Sequence, residues 1–284
     1  MRDLEGKTYF VTGGNTGIGK ATVFALARRG GEVVLAARSQ EKAAAVLAEL
    51  RAELPEAQVS FAELDLASLR SVERCAKTFL DSGRRLDVLV NNAGLAGATG
   101  ATADGFEITT GTNHLGPFHL TELLLPRLRE AGAARVVNVA SASHLNAKGI
   151  DWSHVTEPVS SPTKVLALYS ESKLMNVVHA RELAKRLEGT GVTTYSLHPG
   201  VVASDVWREV PWPVRSIMKL FMLTNEEGAR TQVRCATDPA LAASSGKYYK
   251  SEREARVNRV VEAPGIGEEL FARSQELIAG ALSR

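Results

Sequence analysis

Two hydrophobic rhythms alternate along the chain. Short apolar runs recur at Lys7 to Thr12, Glu32 to Ala37, Val59 to Leu64, Leu86 to Val90, Arg135 to Ala140, Val192 to Leu197 and Gly246 to Lys250. Runs such as Leu86-Asp87-Val88-Leu89-Val90 lack a polar face and suit strands buried on both sides of a sheet. Between them lie longer stretches at helical spacing: Lys20 to Arg29, Ser39 to about Leu54, Ser68 to Asp81, Glu107 to Arg129, a segment carrying Tyr169 that ends near Gly189, Glu226 to Thr237, and Glu268 to Leu282. Ser39 reads as an N-cap. Gly116-Pro117 predicts a bend or late start in the long fourth helix. Strand and helix alternate throughout, which predicts an α/β fold: a doubly wound parallel sheet of about seven strands with helices on both faces. Right-handed crossovers give the order 3-2-1-4-5-6-7. No composition break, repeat or Gly/Ser linker divides residues 1–284, so a single domain is expected.

Composition narrows the function classes. Of 284 residues, 44% are hydrophobic and 23% charged, the balance of a soluble globular protein. A net charge of +2 offers no electrostatic footprint for nucleic acid. Cys75 and Cys235 make no metal or redox spacing and are expected to pack as small apolar residues. His114 and His119 lie five apart, awkward for a shared ligand on one helix, so no metal site is expected. Met1 to Gly6 carries charges without an apolar core, which excludes a signal peptide. No run approaches the ~20 apolar residues of a membrane helix, so a cytoplasmic protein without a transmembrane anchor is expected.

Candidate chemistry gathers at strand ends. Thr12-Gly13-Gly14-Asn15-Thr16-Gly17-Ile18-Gly19 joins the first strand to the first helix. Glycines there allow a tight turn and close approach of backbone to a pyrophosphate, whose charge then sits at a helix N-terminus. The bland alternative is a glycine turn without a ligand. Asn91-Asn92-Ala93-Gly94 closes the fourth strand, at the sheet edge where open α/β folds bind ligands; an Asx-type turn explains it equally well. Asp65, with Leu66, follows the third strand, where its carboxylate could accept from an adenine amino group or simply support the turn into the third helix.

The densest signal is Tyr169-Ser170-Glu171-Ser172-Lys173. On a helix, Tyr169 and Lys173 project from one face a turn apart. A phenol titrates near ~10 and is a poor base at neutral pH. A fixed ammonium beside it favours the phenolate, and a shift of about 3 units needs roughly 4 kcal/mol. The product is a proton shuttle for a hydroxyl or carbonyl. An ordinary exposed i,i+4 pair is the competing reading.

Together these segments resemble the short-chain dehydrogenase/reductase family. The matching motifs run in family order over about Lys7 to Ser204: Thr-Gly-x-x-x-Gly-x-Gly at 12–19, Asn-Asn-Ala-Gly at 91–94, Asn-His-Leu-Gly at 113–116, Asn-Val-Ala-Ser at 138–141, Tyr-x-x-x-Lys at 169–173 and His-Pro-Gly at 198–200. The segments GNTGIGK, NHLGPFHLTELLLP and YSESKLMN are similar to the retinol dehydrogenase-like branch. The resemblance implies a Rossmann-type fold and hydride transfer between a nicotinamide and a carbonyl or alcohol. It implies Tyr169 as acid/base, Lys173 lowering its pKa and binding the nicotinamide ribose, Ser141 on the substrate oxygen, and Asn113 holding a relay water. Cofactor contacts are implied at Gly13, Asn15, Thr16, Gly17, Ile18, Gly19, Arg38, Asp65, Leu66, Asn92, Ala93, Gly94, Tyr169, Lys173, Pro199, Gly200, Val202 and Ser204. The family's Ser-Ser is Ala140-Ser141 here, with Ser143 as the fallback hydroxyl, and its common threonine is Ser204. Members of the retinoid branch often carry an N-terminal membrane anchor, which is not expected here. A homodimer built on the long helix and the Tyr169 helix is also implied.

Three further expectations complete the reading. An acidic residue at the end of strand two, about 20 residues past the glycine loop, marks NAD selectivity. That place falls near Ala37, followed by Arg38, so NADP(H) is expected, with Arg38 and Asn15 on the 2′-phosphate. The segment at about 205–225 is rich in apolar residues around Trp207 and Trp212, and reads as a lid over an apolar aldehyde, ketone or retinoid-like substrate; a subunit contact or peripheral membrane contact are its alternatives. His144, Trp152 and His154 line the substrate pocket or pack a surface loop. A dinucleotide-binding sensor or scaffold without turnover is the alternative to an enzyme.

Overall fold

A computed structural model describes residues 2–157, 159, 161–200 and 223–284. Its eight-stranded sheet has the order β3-β2-β1-β4-β5-β6-β7-β8. The strands are β1 (Thr8–Thr12), β2 (Glu32–Ala37), β3 (Val59–Glu63), β4 (Val88–Asn91), β5 (Ala134–Val139), β6 (Val192–His198), β7 (Lys247–Lys250) and β8 (Arg253–Glu254). Strands β1 to β7 pair in parallel, in the order the sequence predicts, and the short β8 adds an antiparallel edge not foreseen.

Side-chain alternation along the central strands divides the core into two layers. Phe10, Val34, Ala36, Leu89 and Val136 face α3 (Leu69–Asp81) and α5 (Gly116–Glu130). Tyr9, Val11, Val33, Leu35 and Val90 face α1 (Gly17–Arg28), α2 (Gln40–Glu53) and α7 (Asn225–Thr237). Both layers are closed to water, which is why these strands needed no polar side. Ser39 and Ser68 cap α2 and α3 by accepting from Lys42 and Ser71 amides. Cys75 and Cys235 are buried and free, and burial pushes both thiols up to about 12.

The long fourth helix is built in three pieces: α4 (Ile108–Thr110), a π-helical turn (Gly111–Leu115), and α5. The expected irregularity at Gly116-Pro117 is therefore this wider turn just before it. Glu107 starts the helix, its buried carboxylate accepting from the amides of Thr109 and Thr110. Helix α6 (Pro162–Arg186) carries Tyr169 and Lys173. The last helix, α8 (Ile266–Leu282), packs against α5 and α6. Phe271 stacks edge-on to Phe118 at 5.0 Å and lies under the Arg186 guanidinium at 4.0 Å, while Ser274 meets His114 at 2.8 Å. Leu124 lies in the core, with Leu123 and Leu125 partly buried against it. Among the described residues, no helix is long and apolar enough to cross a membrane.

Candidate active site

The parallel order brings the carboxyl ends of β1, β4, β5 and β6 side by side, and the motif residues follow these ends. Thr12 closes β1, fully buried, and its hydroxyl accepts from the amides of Asn92 and Ala93 at 3.0 Å each. The Asn92 amide returns a bond to the Thr12 carbonyl at 2.8 Å. These two side chains clamp the glycine loop to the end of β4. Gln232 of α7 donates to the Asn92 Oδ1 at 3.4 Å and to Thr22 of α1. Asn92 thus spends its side chain on the loop, leaving the neighbouring backbone for a ligand.

Loop and helix geometry fit a dinucleotide. Gly13 has φ +67°, and a Cβ there would stand 3.0 Å from Ala93. A Cβ on Gly19 would collide with the Gly13 carbonyl and the Asn92 amide, so α1 and the loop meet closely only with glycine at this position. Thr16 is the N-cap of α1 but caps no amide with its side chain, and the first turn holds no acidic residue. The exposed amides of that turn, with Gly17 and Ile18, therefore remain available to an anion. Asn15 lies partly buried in the same loop.

Arg38 leaves the end of β2, whose Ala36 carbonyl accepts from the Gly13 amide at 2.7 Å. It is exposed and has no ion pair among the described residues; Glu5 pairs with Arg2 at 2.7 Å. Asp65 turns its Oδ1 to the Ala67 amide at 3.0 Å, an Asx turn, while Ser68 caps the helix. Leu66 is buried, its carbonyl against Gly116, where any Cβ would clash. Pro199 and Gly200 follow β6, Gly200 at φ +96° against Leu223.

The acid/base residues converge on one point. Ser141, extended at φ −158°, ends β5 and accepts from the Ser143 amide at 3.2 Å. Burial raises the Tyr169 phenol above its ordinary value, and the neighbouring Ser141 side chain opposes that shift. Lys173 is buried, lies 5.8 Å from the Tyr169 ring centroid and donates to the Val139 carbonyl at 2.8 Å. Burial lowers its ammonium to about 8. Its ammonium thus bonds the Val139 carbonyl while standing over the face of the Tyr169 ring. Gly94 leaves space beside it, since a Cβ there would be 3.2 Å from both Lys173 Nζ and Asn113 Oδ1.

Asn113 lies in the π-helical turn. Its amide donates to Leu95 O at 2.9 Å and Ser172 Oγ at 3.0 Å, and its Oδ1 accepts from the Leu95 amide at 2.8 Å. The side chain is therefore committed. Its backbone carbonyl receives no i+4 bond, because Pro117, four residues on, has no N–H.

A family model described as short chain dehydrogenase matches residues 7–153. Dehydrogenase/reductase SDR family member 13 of Bos taurus is 44% identical over 88% of this chain and 67% of its own length. The chain belongs to the short-chain dehydrogenase/reductase family. Retinol dehydrogenase 12 of Homo sapiens is 41% identical over 97% of the chain and 87% of its own length, so the protein is retinol dehydrogenase-like and an oxidoreductase. A crystal structure of an uncharacterized protein from Mycobacterium paratuberculosis superposes with a TM-score of 0.76 at 31% identity, covering 97% of this chain and 94% of its own. An NAD(P)-dependent gluconate 5-dehydrogenase from Beutenbergia cavernae, with NADP bound at low occupancy, superposes at 0.70 with 25% identity over 88% and 96%. The fold shared with this family is one that binds a nicotinamide dinucleotide.

Within this short-chain dehydrogenase the structure sorts the sequence candidates. Asn113, Ser141, Tyr169 and Lys173 come together, with Gly13 to Gly19 and Ala93-Gly94 beside them. Ser143 directs a buried hydroxyl that finds no hydrogen-bond partner among the described residues, so it stays available as the second hydroxyl. Val202, Ser204, Trp207, Trp212 and the expected lid at about 205–225 fall almost wholly outside the described residues. Trp152 and His154 pack the surface loop: Trp152 Nε1 donates to Glu269 at 3.1 Å, and His154 meets Asp151 at 3.3 Å. Sequence reasoning missed Ser172 and Gln232. Ser172 is fully buried and donates to the Tyr169 carbonyl at 2.8 Å while accepting from Asn113, tying the π-helical turn to α6. The residue between Glu171 and Lys173 carried no periodic signal that set it apart from an ordinary helix serine.

Proposed function

We infer that the protein is an NADP(H)-dependent reductase/dehydrogenase of apolar aldehydes, ketones or the corresponding alcohols, with Tyr169 as the acid/base. The observation that carries this reading is the grouping of Ser141, Tyr169 and Lys173 beside the glycine cradle and the uncapped N-terminus of α1. The bound nicotinamide supplies the hydride. Ser141 and Tyr169 hold the substrate oxygen between them, and Tyr169 moves the proton at that oxygen. In this reading Lys173, close to Gly94 and Asn113, takes the ribose hydroxyls, and the Asn113 carbonyl holds a relay water.

Arg38 supports NADP over NAD. It stands where an acid would select the ribose hydroxyl, and it has no competing ion pair among the described residues. The substrate class follows from the rim. The exposed large apolar residues among those described are Leu145, Leu166 and Leu223, at 37%, 61% and 38% exposure. Leu145 follows the Ser141 turn, Leu166 precedes Tyr169 by one helical turn, and Leu223 abuts Gly200. We read these three as an apolar margin to the site. The retinol dehydrogenase names of the relatives point the same way.

The test is NADPH consumption across a carbonyl panel running from glyceraldehyde to decanal and all-trans-retinaldehyde. Turnover should rise with apolar chain length and be slower with NADH. NADPH binding without turnover on any carbonyl would favour the sensor reading instead.

A further inference from the structure

Ser141 is held from outside its own motif. The carbonyl of Ser141 accepts from the ring of His144, Nδ1 to oxygen 2.6 Å, and from the His144 amide at 3.2 Å. His144 is fully buried. Its other ring nitrogen, Nε2, accepts from the backbone amide of Asn258 at 3.3 Å. A carbonyl can only accept and an amide N–H can only donate, so these partners together require the neutral Nδ1–H tautomer. Tyr248 of β7 stacks on the ring at 4.7 Å. The Asn258 side chain then donates to the carbonyls of His144, Leu145 and Ala147 at 3.0, 3.3 and 2.8 Å, while its Oδ1 accepts from Val260 at 2.9 Å.

We propose that His144 and Asn258 are positioning residues for the reaction: a latch, closed by Asn258 from beyond the 7–153 span of the family match, that fixes the Ser141 backbone so its hydroxyl meets Tyr169 and the substrate oxygen. The short helical turn Ala142–Asn146 has few internal bonds of its own, and Asn258 supplies the outward ties that its carbonyls lack. Neither residue touches the glycine cradle, so cofactor binding does not depend on them. The inference rests on Ser141 contacting the substrate oxygen.

The experiment compares His144→Phe, His144→Asn, Asn258→Ala, the double variant His144→Phe/Asn258→Ala, and Ser141→Ala in the intact chain. Each is assayed for kcat on a medium-chain aldehyde, for KM and Kd of NADPH, and for Tm. Phe keeps the ring volume but donates nothing. Asn places an amide N–H near the Nδ1 position and should restore the bond to Ser141. Displacement of a reacting group by an ångström costs on the order of 100-fold, so His144→Phe should lose roughly 10- to 100-fold in kcat with NADPH affinity unchanged. His144→Asn should recover most of that loss, and Asn258→Ala should fall in the same direction. Because one latch is broken in each, the double variant should be no slower than the slower single variant, whereas independent effects would multiply. Loss in Ser141→Ala with normal kcat in His144→Phe overturns the latch alone. Equal losses in His144→Asn and His144→Phe, tracking Tm, also overturn it by reducing His144 to a packing role. Normal kcat in Ser141→Ala overturns the reading beneath it, and the latch falls with that reading.

Discussion

Glu171 lies on α6 between Tyr169 and Lys173, and its carboxyl is a partly buried group that the proposed chemistry does not use. Burial raises its pKa from 4.5 to about 7; the Asp151 amide, donating at 2.8 Å, opposes the shift, and the charges of Asp151 and Glu107 add to it. Such a shift corresponds to about 3 kcal/mol between protonation states. The carboxyl is partly exposed, and solvent screening reduces this to roughly 1–2 kcal/mol. Below the unfolded value both states hold the proton and burial costs little. As pH rises the unfolded chain ionises first, so stability falls between 4.5 and about 7 and levels off above. Glu171→Gln keeps an oxygen for the Asp151 amide and removes the titration. The variant should match wild type near the acid end and be more stable at alkaline pH by roughly 1–2 kcal/mol, a rise of about 2–5 °C in Tm. Urea denaturation of both proteins across this range reads the difference directly. A gap of the same size at both ends of the range, or a wild type that gains stability through that window, would refute the reasoning.

Two further outcomes follow from the same geometry. Arg38→Ala should weaken NADPH binding by about 10- to 100-fold, the worth of charge-assisted bonds at roughly 1.5–3 kcal/mol, and leave NADH unchanged; titration of both cofactors checks it, and a retained preference removes Arg38 as the selector. The homodimer implied by resemblance uses α5 and α6, but α8 already packs against both through Phe271, so sedimentation should find a monomer; a dimer with α8 in place would show that another face is used.

The parallel frame was legible because its strands are buried on both sides and carry runs such as Val33-Val34-Leu35-Ala36-Ala37 that no exposed element tolerates. Motif order then placed Ser141 just past β5 and Tyr169 and Lys173 on the helix that follows, and the fold brings them together. What stayed hidden depends on tertiary contacts. The β7–β8 hairpin turns through Ser251 and Glu252, at φ 49° and 61°, where a sequence reader expects Asn-Gly. The π-helical turn that carries Asn113 arises from one extra residue in a helix, which leaves no change in hydrophobic period over so short a span. Spacing and resemblance both set Lys173 beside Tyr169, and neither reports that its ammonium also donates to the Val139 carbonyl. His144 lay three residues past Ser141 in plain view, yet its partner Asn258 is more than a hundred residues away.

The central claim is that Tyr169 moves the proton at the substrate oxygen. Tyr169→Phe deletes that hydroxyl and leaves the ring, the glycine cradle and Lys173 in place. Turnover of an aldehyde with NADPH, measured on the same sample as NADPH affinity, should fall roughly 10²- to 10⁴-fold with affinity unchanged. Turnover near the wild-type rate would contradict the account.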